Sequence, residues 1–410
     1  MRLRTTFQVL IVVALGAVAL AFLAKFSEHR TSNDLRIYYR AINYWRHGQG
    51  NLYDFHNPPL GLGFTYPPFA ALALTPLAVL PWTVAQWAMK LATVAVALLV
   101  VYWFVDPVAR RHGWTRWFTW AVAGILVSAF EPFRETLSFG QVNVLLLGLV
   151  LADFRLLIGR GSRFGGAGVG LAAAVKLTPG IFILYLLITR RTRAAVTAAA
   201  TAAAATLLAF PVAPRESVLF WTGLLWNTDR VGSPAFVSNQ ALFGFAARVS
   251  CAHATVVWLV LVLPVGGVWA WRVRHAIRVG DGDAGVALTA VAGCLVSPIT
   301  WIHHLVWLLP ALLLLADRSL AARRRPTLGL AGALYVLLCS RLVWHFPDSV
   351  LLGNAYLYAS LVLLVALPIQ SGDAPQPHVV DAGGRTEQVG SRLEQQVAMD
   401  GPGTAAAAVG

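Results

Sequence analysis

The chain has 410 residues, of which 58% are hydrophobic and 12% are charged. Soluble domains carry about 25% charged residues, so this composition excludes a single water-soluble globule and a disordered or collagen-like chain. The formal net charge of +14 would suit a nucleic-acid-binding protein, but the arginines lie between apolar segments, as in cytoplasmic loops that orient membrane helices. Three cysteines without a CxxC or Cys/His cluster indicate neither a disulfide scaffold nor a structural zinc site.

The first predicted transmembrane helix covers residues 7–24 and follows a basic N-terminus. Its length favours a retained helix over a cleaved signal peptide, and the arginines before it place the N-terminus in the cytoplasm. Residues 25–66 then form a long outer loop. The proline-bounded run 69–80 is too short for a crossing and predicts an interfacial or re-entrant helix. Residues 83–105 predict the next crossing, and Asp106 begins a cytoplasmic loop.

The remaining crossings are apolar segments separated by arginine-rich cytoplasmic loops and by outer segments at residues 131–135, 211–250, 297–298 and 346–349. They cover residues 117–130, 138–157, 194–210, 254–271, 284–296, 302–316, 328–344 and 350–367. Glu131-Pro-Phe-Arg-Glu135 is predicted as an outer loop, and residues 211–250 form a second long one. The stretch 165–189 is broken at Lys176-Leu-Thr-Pro179 with arginines on both sides, which predicts a hairpin of two half-helices.

This pattern predicts an all-α polytopic membrane protein with about 10–12 transmembrane helices and both termini in the cytoplasm. Residues 1–370 form the transmembrane domain. The polar tail, residues 371–410, has no periodic apolar pattern and predicts a disordered cytoplasmic extension. No convincing internal repeat is present, which weakens the case for a transporter built from two related halves.

Chemically useful side chains collect on the predicted outer face, whereas the cytoplasmic loops hold mostly arginine. Asp34 follows the first helix and is either a reactive carboxylate or a helix N-cap, a role for which Ser32 and Asn33 compete. Lys176 lies in an apolar stretch beside a helix break. An ionisable residue at such depth is a functional hypothesis by default, and the alternative is an ammonium group that snorkels to the interface.

Three further polar pairs lie on the same predicted face. Gln141 and Asn143 open a span, where helix capping and interhelical hydrogen bonding are the alternative to ligand binding. His303 and His304 follow Trp301, so they are either a functional pair or solvated histidines beside an interfacial anchor. The third pair, Asn239 and Gln240, lies in the second outer loop.

Seven short motifs, in their order along the chain, resemble those of glycosyltransferase family 87. They are Asp34-Leu-Arg-Ile-Tyr-Tyr-Arg-Ala41 with Asn51-Leu-Tyr-Asp54, Phe64-Thr-Tyr-Pro-Pro-Phe69, Gly140-Gln-Val-Asn143, Lys176-Leu-Thr-Pro179, Ser238-Asn-Gln-Ala-Leu-Phe-Gly244 and Ser297-Pro-Ile-Thr-Trp-Ile-His-His304. The resemblance covers residues 1–370. It implies the C-type membrane glycosyltransferase fold of actinobacterial polyprenyl-phosphate-mannose-dependent α-(1→2)-mannosyltransferases.

The resemblance implies a reaction as well as a fold. The donor would be a β-linked mannosyl phosphate on a polyprenol, and the acceptor a phosphatidylinositol mannoside or a lipomannan, met on the outer face of the plasma membrane. An α-linked product requires one inversion, for which one carboxylate base suffices. The leaving phosphate needs positive charge or hydrogen-bond donors. No metal and no cofactor are expected, since polyprenyl-phosphate-mannose is itself a substrate, and no nucleic acid is expected as a partner.

With the resemblance added, Asp34 is the predicted catalytic base, with Arg30, Arg36 and Arg40 close enough to hold it ionised. Glu28 and Asp54 are its rivals, although Asp54 is also a typical turn residue. The predicted donor and acceptor contacts are His303, His304, Lys176, Tyr38, Tyr66, Gln141, Asn143, Asn239 and Gln240.

Two other classes of protein share part of this pattern. A transporter or flippase for a lipid-linked sugar would also be hydrophobic, with broken helices and a buried lysine, but the two long outer loops favour a glycosyltransferase, which uses such loops to cover its site. A structural membrane partner would leave the polar clusters of the outer face unexplained.

Overall fold

The computed structural model describes residues 2–25, 32–58, 61–227 and 229–371. Within these residues the regular structure is helical except for one short antiparallel hairpin, in which β1 (His56–Asn57) pairs with β2 (Leu62–Gly63). The predicted all-α class is confirmed. Glu28, Arg30 and residues 372–410 lie outside the described residues, so the predictions made for them stay predictions.

The α-helices of the described chain follow one another with short connections. The first nine are α1 (Arg2–Lys25), α2 (Asn33–Arg46), α3 (Pro68–Ala78), α4 (Trp82–His112), α5 (Arg116–Ala129), α6 (Glu131–Phe139), α7 (Asn143–Ala152), α8 (Ala167–Val175) and α9 (Ile181–Ile188). The next are α10 (Thr192–Val212), α11 (Pro214–Thr222), α12 (Leu242–Val249), α13 (Ala254–Arg278), α14 (Gly282–Val296), α15 (Leu309–Ala321), α16 (Arg325–Cys339), α17 (Leu342–His345) and α18 (Ala355–Ala366).

Short π-helical and 3₁₀-helical segments extend or connect several of these α-helices. A π-helical segment, Asp153–Ile158, continues α7. The 3₁₀ turns are Thr178–Gly180, Leu224–Trp226, Asp229–Val231, Cys251–His253, Ile302–Leu308 and Leu352–Asn354.

Five helices of the described chain are long and apolar enough to cross a membrane. They are Thr5–Lys25, Trp82–His112, Thr192–Val212, Cys251–Arg278 and Ile302–Ala321. Helix α6 and the Asn143–Ile158 segment, which meet at a bend of 112°, make a sixth if they form one span, and several shorter apolar helices accompany them. Large apolar side chains of α1 and α13, such as Leu20 and Leu263, are more than two-thirds exposed. Such surfaces are stable only against lipid, so the chain is a polytopic membrane protein.

Several predicted boundaries are wrong. Helix α4 continues through Asp106 and Pro107 to His112, where the sequence indicated a loop. The Asp106 carboxylate accepts hydrogen bonds from Arg110 and Arg116 at 2.8 and 2.7 Å, so its charge is paired and need not end the helix. The left-handed Gly113, with φ of 60°, ends it instead.

The second difference concerns residues 131–135, which form the start of α6 instead of a loop. Pro132 in the first turn suits a helix start, and Gly140 ends the helix with φ of 69°. The predicted span 138–157 therefore begins at Asn143. In the same way the predicted span 328–344 is divided, because the left-handed Arg341 separates α16 from α17.

The predicted break at Lys176–Pro179 is confirmed. Helix α8 ends at Val175, Lys176 is extended with φ of −148°, and a 3₁₀ turn leads into α9. This break lies near the centre of the fold. There the Ile302–Leu308 segment packs against α6, α7 and α14, while α2 packs against α3 and α6. Helix α14 is buried on all sides. The polar segments of the predicted outer face thus converge on one buried core.

Candidate active site

Asp34 is held in the first turn of α2, where the positive end of the helix dipole stabilises a carboxylate. The cap position belongs to Ser32, whose backbone is left-handed with φ of 50° and whose amide donates to the Ser138 carbonyl oxygen at 3.1 Å. The Ser32 hydroxyl accepts from Gln86 Nε2 at 2.9 Å. The alternative in which Asp34 is the N-cap is therefore wrong, and its carboxylate has a hydrogen-bond partner from another segment.

That partner is the Gln141 side chain, whose Nε2 donates to Asp34 Oδ2. Gly140 makes the contact possible. A Cβ atom at this position would lie 2.7 Å from Leu35 Cβ, and the φ of 69° already disfavours other residues. The end of α6 therefore approaches α2 closely because residue 140 is a glycine.

Two tyrosines continue the network from Gln141. Tyr66 donates to Gln141 Oε1, and Tyr38 donates to the Tyr66 oxygen, both at 2.9 Å. Burial raises the pKa of both phenols above the ordinary value, and the negative charge of Asp34 raises each pKa further. Both phenols are therefore protonated at physiological pH and act as hydrogen-bond donors.

Lys176 lies on the other side of Tyr66. Its Nζ atom is 3.3 Å from the Tyr66 oxygen, 2.8 Å from Asn143 Oδ1 and 2.8 Å from His304 Nε2. The ammonium group also lies 5.1 Å from the centroid of the Tyr66 ring. Lys176 is only 8% exposed, so it does not snorkel. The helix break leaves its side chain inside the protein, among polar partners from three other segments.

The two histidines are buried, in contrast to the alternative of a solvated pair. Their rings meet edge to face with centroids 4.5 Å apart. His304 Nδ1 lies 3.2 Å from the Trp301 backbone nitrogen, and Nε2, on the opposite side of the ring, lies 2.8 Å from Lys176 Nζ. The His303 carbonyl oxygen accepts from Thr136 at 3.0 Å, and its ring packs edge-on against Phe139. These contacts attach the histidine segment to α6.

Together these contacts form one continuous network from Asp34 through Gln141 and Tyr66 to Lys176 and His304. Its members come from segments far apart in the sequence. A carboxylate at one end can accept a proton, and a lysine with a histidine at the other can stabilise an anion. The arrangement thus brings together Asp34, Tyr38, Tyr66, Gln141, Asn143, Lys176, His303 and His304, as the sequence predicted for one site.

Asn239 and Gln240 have a different role from the predicted substrate contact. Asn239 Nδ2 donates to the carbonyl oxygens of Pro234 and Pro298, and its Oδ1 accepts the Thr300 amide at 2.9 Å. Gln240 is likewise bonded through both ends of its side-chain amide to backbone groups. Both side chains are fully buried. They position the segment that leads to the histidines.

Asp54, the rival carboxylate, and Arg36 and Arg40, the arginines near Asp34 in the sequence, make contacts with other residues. Asp54 is exposed, and its Oδ2 accepts the Asn51 amide at 3.3 Å, as expected of a turn residue. Arg36 lies over the Trp82 ring at 5.4 Å, and Arg40 donates to Asn57 at 3.2 Å. Asp54 is therefore part of the loop structure, whereas Asp34 faces the buried network.

Sequence reasoning missed one residue that shapes the site. Arg230, in the second outer loop, donates to the carbonyl oxygens of Phe64 and Thr65 at 3.1 and 2.8 Å. Its guanidinium group also packs on the Tyr53 ring. Arg230 therefore holds the turn from which Tyr66 enters the network. Arg230 and Thr65 are 165 residues apart, so local sequence patterns could not predict their hydrogen bond. The only sequence signal for Arg230 was its position in a polar segment predicted to be an outer loop.

In the part of the chain that the structure describes, no group of three or more His, Cys, Asp or Glu side chains is close enough to hold a metal ion.

A polytopic helical protein in which a half-buried carboxylate is linked to a buried amide, phenol and lysine has the features of a membrane glycosyltransferase. The sequence profile described as glycosyltransferase family 87 matches residues 64–298. The chain belongs to glycosyltransferase family 87.

Three relatives illustrate the membership. An enzyme of Mycobacterium tuberculosis, named polyprenol-phosphate-mannose-dependent alpha-(1-2)-phosphatidylinositol mannoside mannosyltransferase, is 35% identical over 76% of each chain. A protein of the same name from Mycolicibacterium smegmatis is 34% identical over 71% of each chain. A phosphatidylinositol pentamannoside mannosyltransferase of Mycolicibacterium smegmatis is 32% identical over 68% of each chain. No solved structure matches the chain. The protein is thus an enzyme, a membrane glycosyltransferase, and the transporter and structural-partner alternatives are set aside.

Proposed function

We propose that the protein transfers mannose from polyprenyl-phosphate-mannose to a hydroxyl group of a mannosylated phosphatidylinositol or related lipoglycan. The new bond is α-(1→2), and the reaction inverts the anomeric configuration on the outer face of the plasma membrane. The observation that carries the proposal is the network joining Asp34 to Lys176. The names of the relatives support the donor and the acceptor, and the arginine distribution supports the outer face.

Asp34 is the base of this reaction. As the acceptor oxygen attacks the anomeric carbon, its proton passes to the Asp34 carboxylate, and the bond from the anomeric carbon to the phosphate oxygen breaks. Gln141 orients the carboxylate through Oδ2. One displacement converts a β-linked donor into an α-linked product, so a second catalytic carboxylate is not needed.

Lys176 and His304 receive the leaving phosphate. Negative charge becomes localised on the phosphate oxygens in the transition state, and preorganised donors at such a position are worth about 2–4 kcal/mol each. Both side chains are held in place before the donor binds, because they contact each other and Lys176 also contacts Asn143. Tyr66 lies between the phosphate end and the carboxylate end, within hydrogen-bond distance of Lys176 and Gln141.

The direct test is sugar transfer by the purified protein in lipid nanodiscs. With polyprenyl-phosphate-mannose and phosphatidylinositol mannosides of different length, we expect one acceptor to gain a mannose that an α-(1→2)-specific mannosidase removes. Transfer from a nucleotide-linked mannose instead, or a product resistant to that mannosidase, would contradict the donor or the linkage.

We further propose that the transfer needs neither a metal ion nor a cofactor. The donor already carries an activated sugar, and Lys176 with His304 supplies positive charge or donors at the phosphate. We expect the rate to be the same with excess EDTA as with Mg²⁺ or Mn²⁺. A rate that falls in EDTA and returns when one of these ions is added would show that a metal takes part.

A further inference from the structure

A cavity separate from the Asp34–Lys176 network lies between α4, α5, α15 and α16 and has a volume of about 480 Å³. Its wall is almost entirely apolar. It extends from Val108 and Leu320 at one end to Leu126, Phe130 and Tyr335 at the other. Helix α5 and its C-cap form the wall from Phe118 to Phe130, which is about 18 Å long because an α-helix rises about 1.5 Å per residue. That length is close to one leaflet of a hydrocarbon core about 30 Å thick.

A cationic side chain lies beside the Tyr335 end of this cavity. Arg134, in α6, places its guanidinium group 4.9 Å from the Phe22 ring. The positive charge of Arg134 is close enough to interact electrostatically with the Tyr335 and Cys339 side chains of α16. Tyr335 itself donates a hydrogen bond to the Leu126 carbonyl oxygen at 2.9 Å. Within the described chain, the buried Nε and Nη2 atoms of Arg134 have no hydrogen-bond partner.

Buried guanidinium N–H groups that lack a hydrogen-bond acceptor raise the free energy of the folded protein. A phosphate group can accept hydrogen bonds from two such groups at once, because its oxygens match the planar geometry of the guanidinium. Glu131 of the same helix is close enough for its charge to interact with Arg134, but its oxygens accept hydrogen bonds from Trp344 and Tyr356. At the opposite end of the cavity, two arginines are paired directly with carboxylates. Arg111 pairs with Asp317 at 2.8 Å, and Arg116 pairs with Asp106 at 2.6 Å. Charge complementarity therefore places an anionic head group at the Arg134 end, with an apolar chain extending into the cavity.

We propose that this cavity and Arg134 bind the lipid anchor of the acceptor, with the phosphodiester on Arg134 and one acyl chain between α5 and α16. This assignment rests on the proposed function. The phosphate of the donor is bonded directly to the transferred sugar, so it must lie beside Asp34. Arg134 instead precedes Gln141 by seven residues, about 10 Å along a helix. That separation leaves room for sugar rings between a phosphodiester and the reacting hydroxyl.

The test compares two acceptors, a diacyl phosphatidylinositol mannoside and a soluble mannoside that has neither phosphate nor acyl chains. For Arg134→Gln, which removes the charge, and Ala331→Leu, which fills the cavity, we expect kcat/KM for the lipid acceptor to fall about tenfold relative to the soluble acceptor. Arg134→Lys should recover part of the loss. The matched controls are Arg215→Gln, an exposed arginine of α11, and Val336→Leu, on the exposed face of α16.

Three outcomes would overturn the assignment. If both acceptors lose activity equally, Arg134 acts through α6 on the catalytic residues. If the KM for the donor rises instead, the cavity holds the polyprenyl chain. If neither acceptor is affected, the cavity has no part in binding substrate.

A binding readout separates this inference from the proposed function. A phosphatidylinositol mannoside with a diazirine on its acyl chain should photolabel peptides of α5 and α16 in the parent protein and label them weakly in Arg134→Gln. This labelling does not require sugar transfer. Labelling that phosphatidylglycerol of the same chain length competes away equally well would identify a general anionic-lipid site and overturn the assignment to the acceptor.

Discussion

At the scale of single residues, Asp34 and Lys176 are joined through an amide and a phenol. The contacts between Asp34 and Lys176 pass through the Gln141 amide and the Tyr66 phenol. The Gln141 amide and the Tyr66 phenol thus fix the orientation of the Asp34 and Lys176 side chains within one network.

The first prediction concerns Asp34. The substitution Asp34→Asn keeps the shape of the side chain and removes its basicity, so we expect transfer to fall by a factor of about 10²–10⁴ while the protein still binds the lipid donor. The rate of radiolabelled mannose transfer measures the effect. Asp54→Asn, in the same loop but exposed, is the matched control. If Asp34→Asn is active and Asp54→Asn is not, the base is Asp54.

The second prediction concerns the phosphate end. Lys176→Met should cost about 2–4 kcal/mol of transition-state stabilisation, and Lys176→Arg should recover part of it. His304→Ala, which removes the ring that contacts Nζ, should act in the same direction. The measurement is kcat/KM for the donor, together with inhibition by polyprenyl phosphate. Lys90→Met, a lysine that packs over the exposed Trp87 ring, is the control. Unchanged turnover in Lys176→Met would refute the assignment.

At the scale of elements, α6 is the support of the site. Its first residue, Glu131, is buried and accepts hydrogen bonds from Trp344 and Tyr356. Its middle is attached to the histidine segment by Thr136. Its end is Gly140, which lies against α2. The helix is thus fixed at three points, so it presents Gln141 to Asp34 in one orientation.

The third prediction tests this close approach. Gly140→Ala adds a Cβ atom 2.7 Å from Leu35 Cβ at a left-handed position, so α2 and α6 must separate. We expect transfer to fall at least tenfold and the thermal midpoint to fall as well. Gly113→Ala is the control, because Gly113 is also left-handed with φ of 60° but has open space around it. The control carries only the backbone strain of about 1–2 kcal/mol. Equal loss of activity in both variants would show that strain, and not the contact with Leu35, is responsible.

At the scale of the whole molecule, the arginines define the expected orientation in the membrane. Most of them lie at the ends of apolar helices, on the side predicted to face the cytoplasm. The candidate site is assembled from α2, the end of α6 and the turn that Arg230 holds, which the sequence predicts to face the outside. This orientation matters for function, because it decides which leaflet supplies the donor and the acceptor.

The fourth prediction concerns this orientation. Ser32 is fully buried, so a cysteine there would not report on the outer loop. Gln49→Cys and Ser371→Cys, both at exposed positions, should instead be labelled from opposite sides of the membrane by an impermeant maleimide. The background needs Cys251→Ser, because Cys251 is exposed. Labelling of both positions from the same side would contradict the topology.

The sequence by itself determined the environment of the chain and most of the residues of the site. Apolar segment length and arginine position are local properties, so they indicated membrane helices and the break at Lys176 directly. The motifs singled out Asp34, Gln141 and Lys176, which the structure brings together. Helix boundaries inside polar stretches could not be predicted in this way. Asp106 lies inside α4 because Arg110 and Arg116 pair with its carboxylate. Arg116 lies beyond the end of α4, so this pairing depends on how the chain folds back after the helix.

Only the tertiary structure decided how these residues share their contacts. Lys176 and His304 are 128 residues apart, and Tyr66 and Gln141 are 75 apart, so their hydrogen bonds depend on how α6, α8 and the Ile302–Leu308 segment pack. In the sequence, Asn239 was as suitable a substrate contact as Asn143. In the structure, the Asn239 side-chain amide is hydrogen-bonded to backbone groups, whereas the Asn143 side-chain oxygen accepts a hydrogen bond from Lys176. A polar side chain in a buried core must find partners, and which partners it finds is a property of the packed helices.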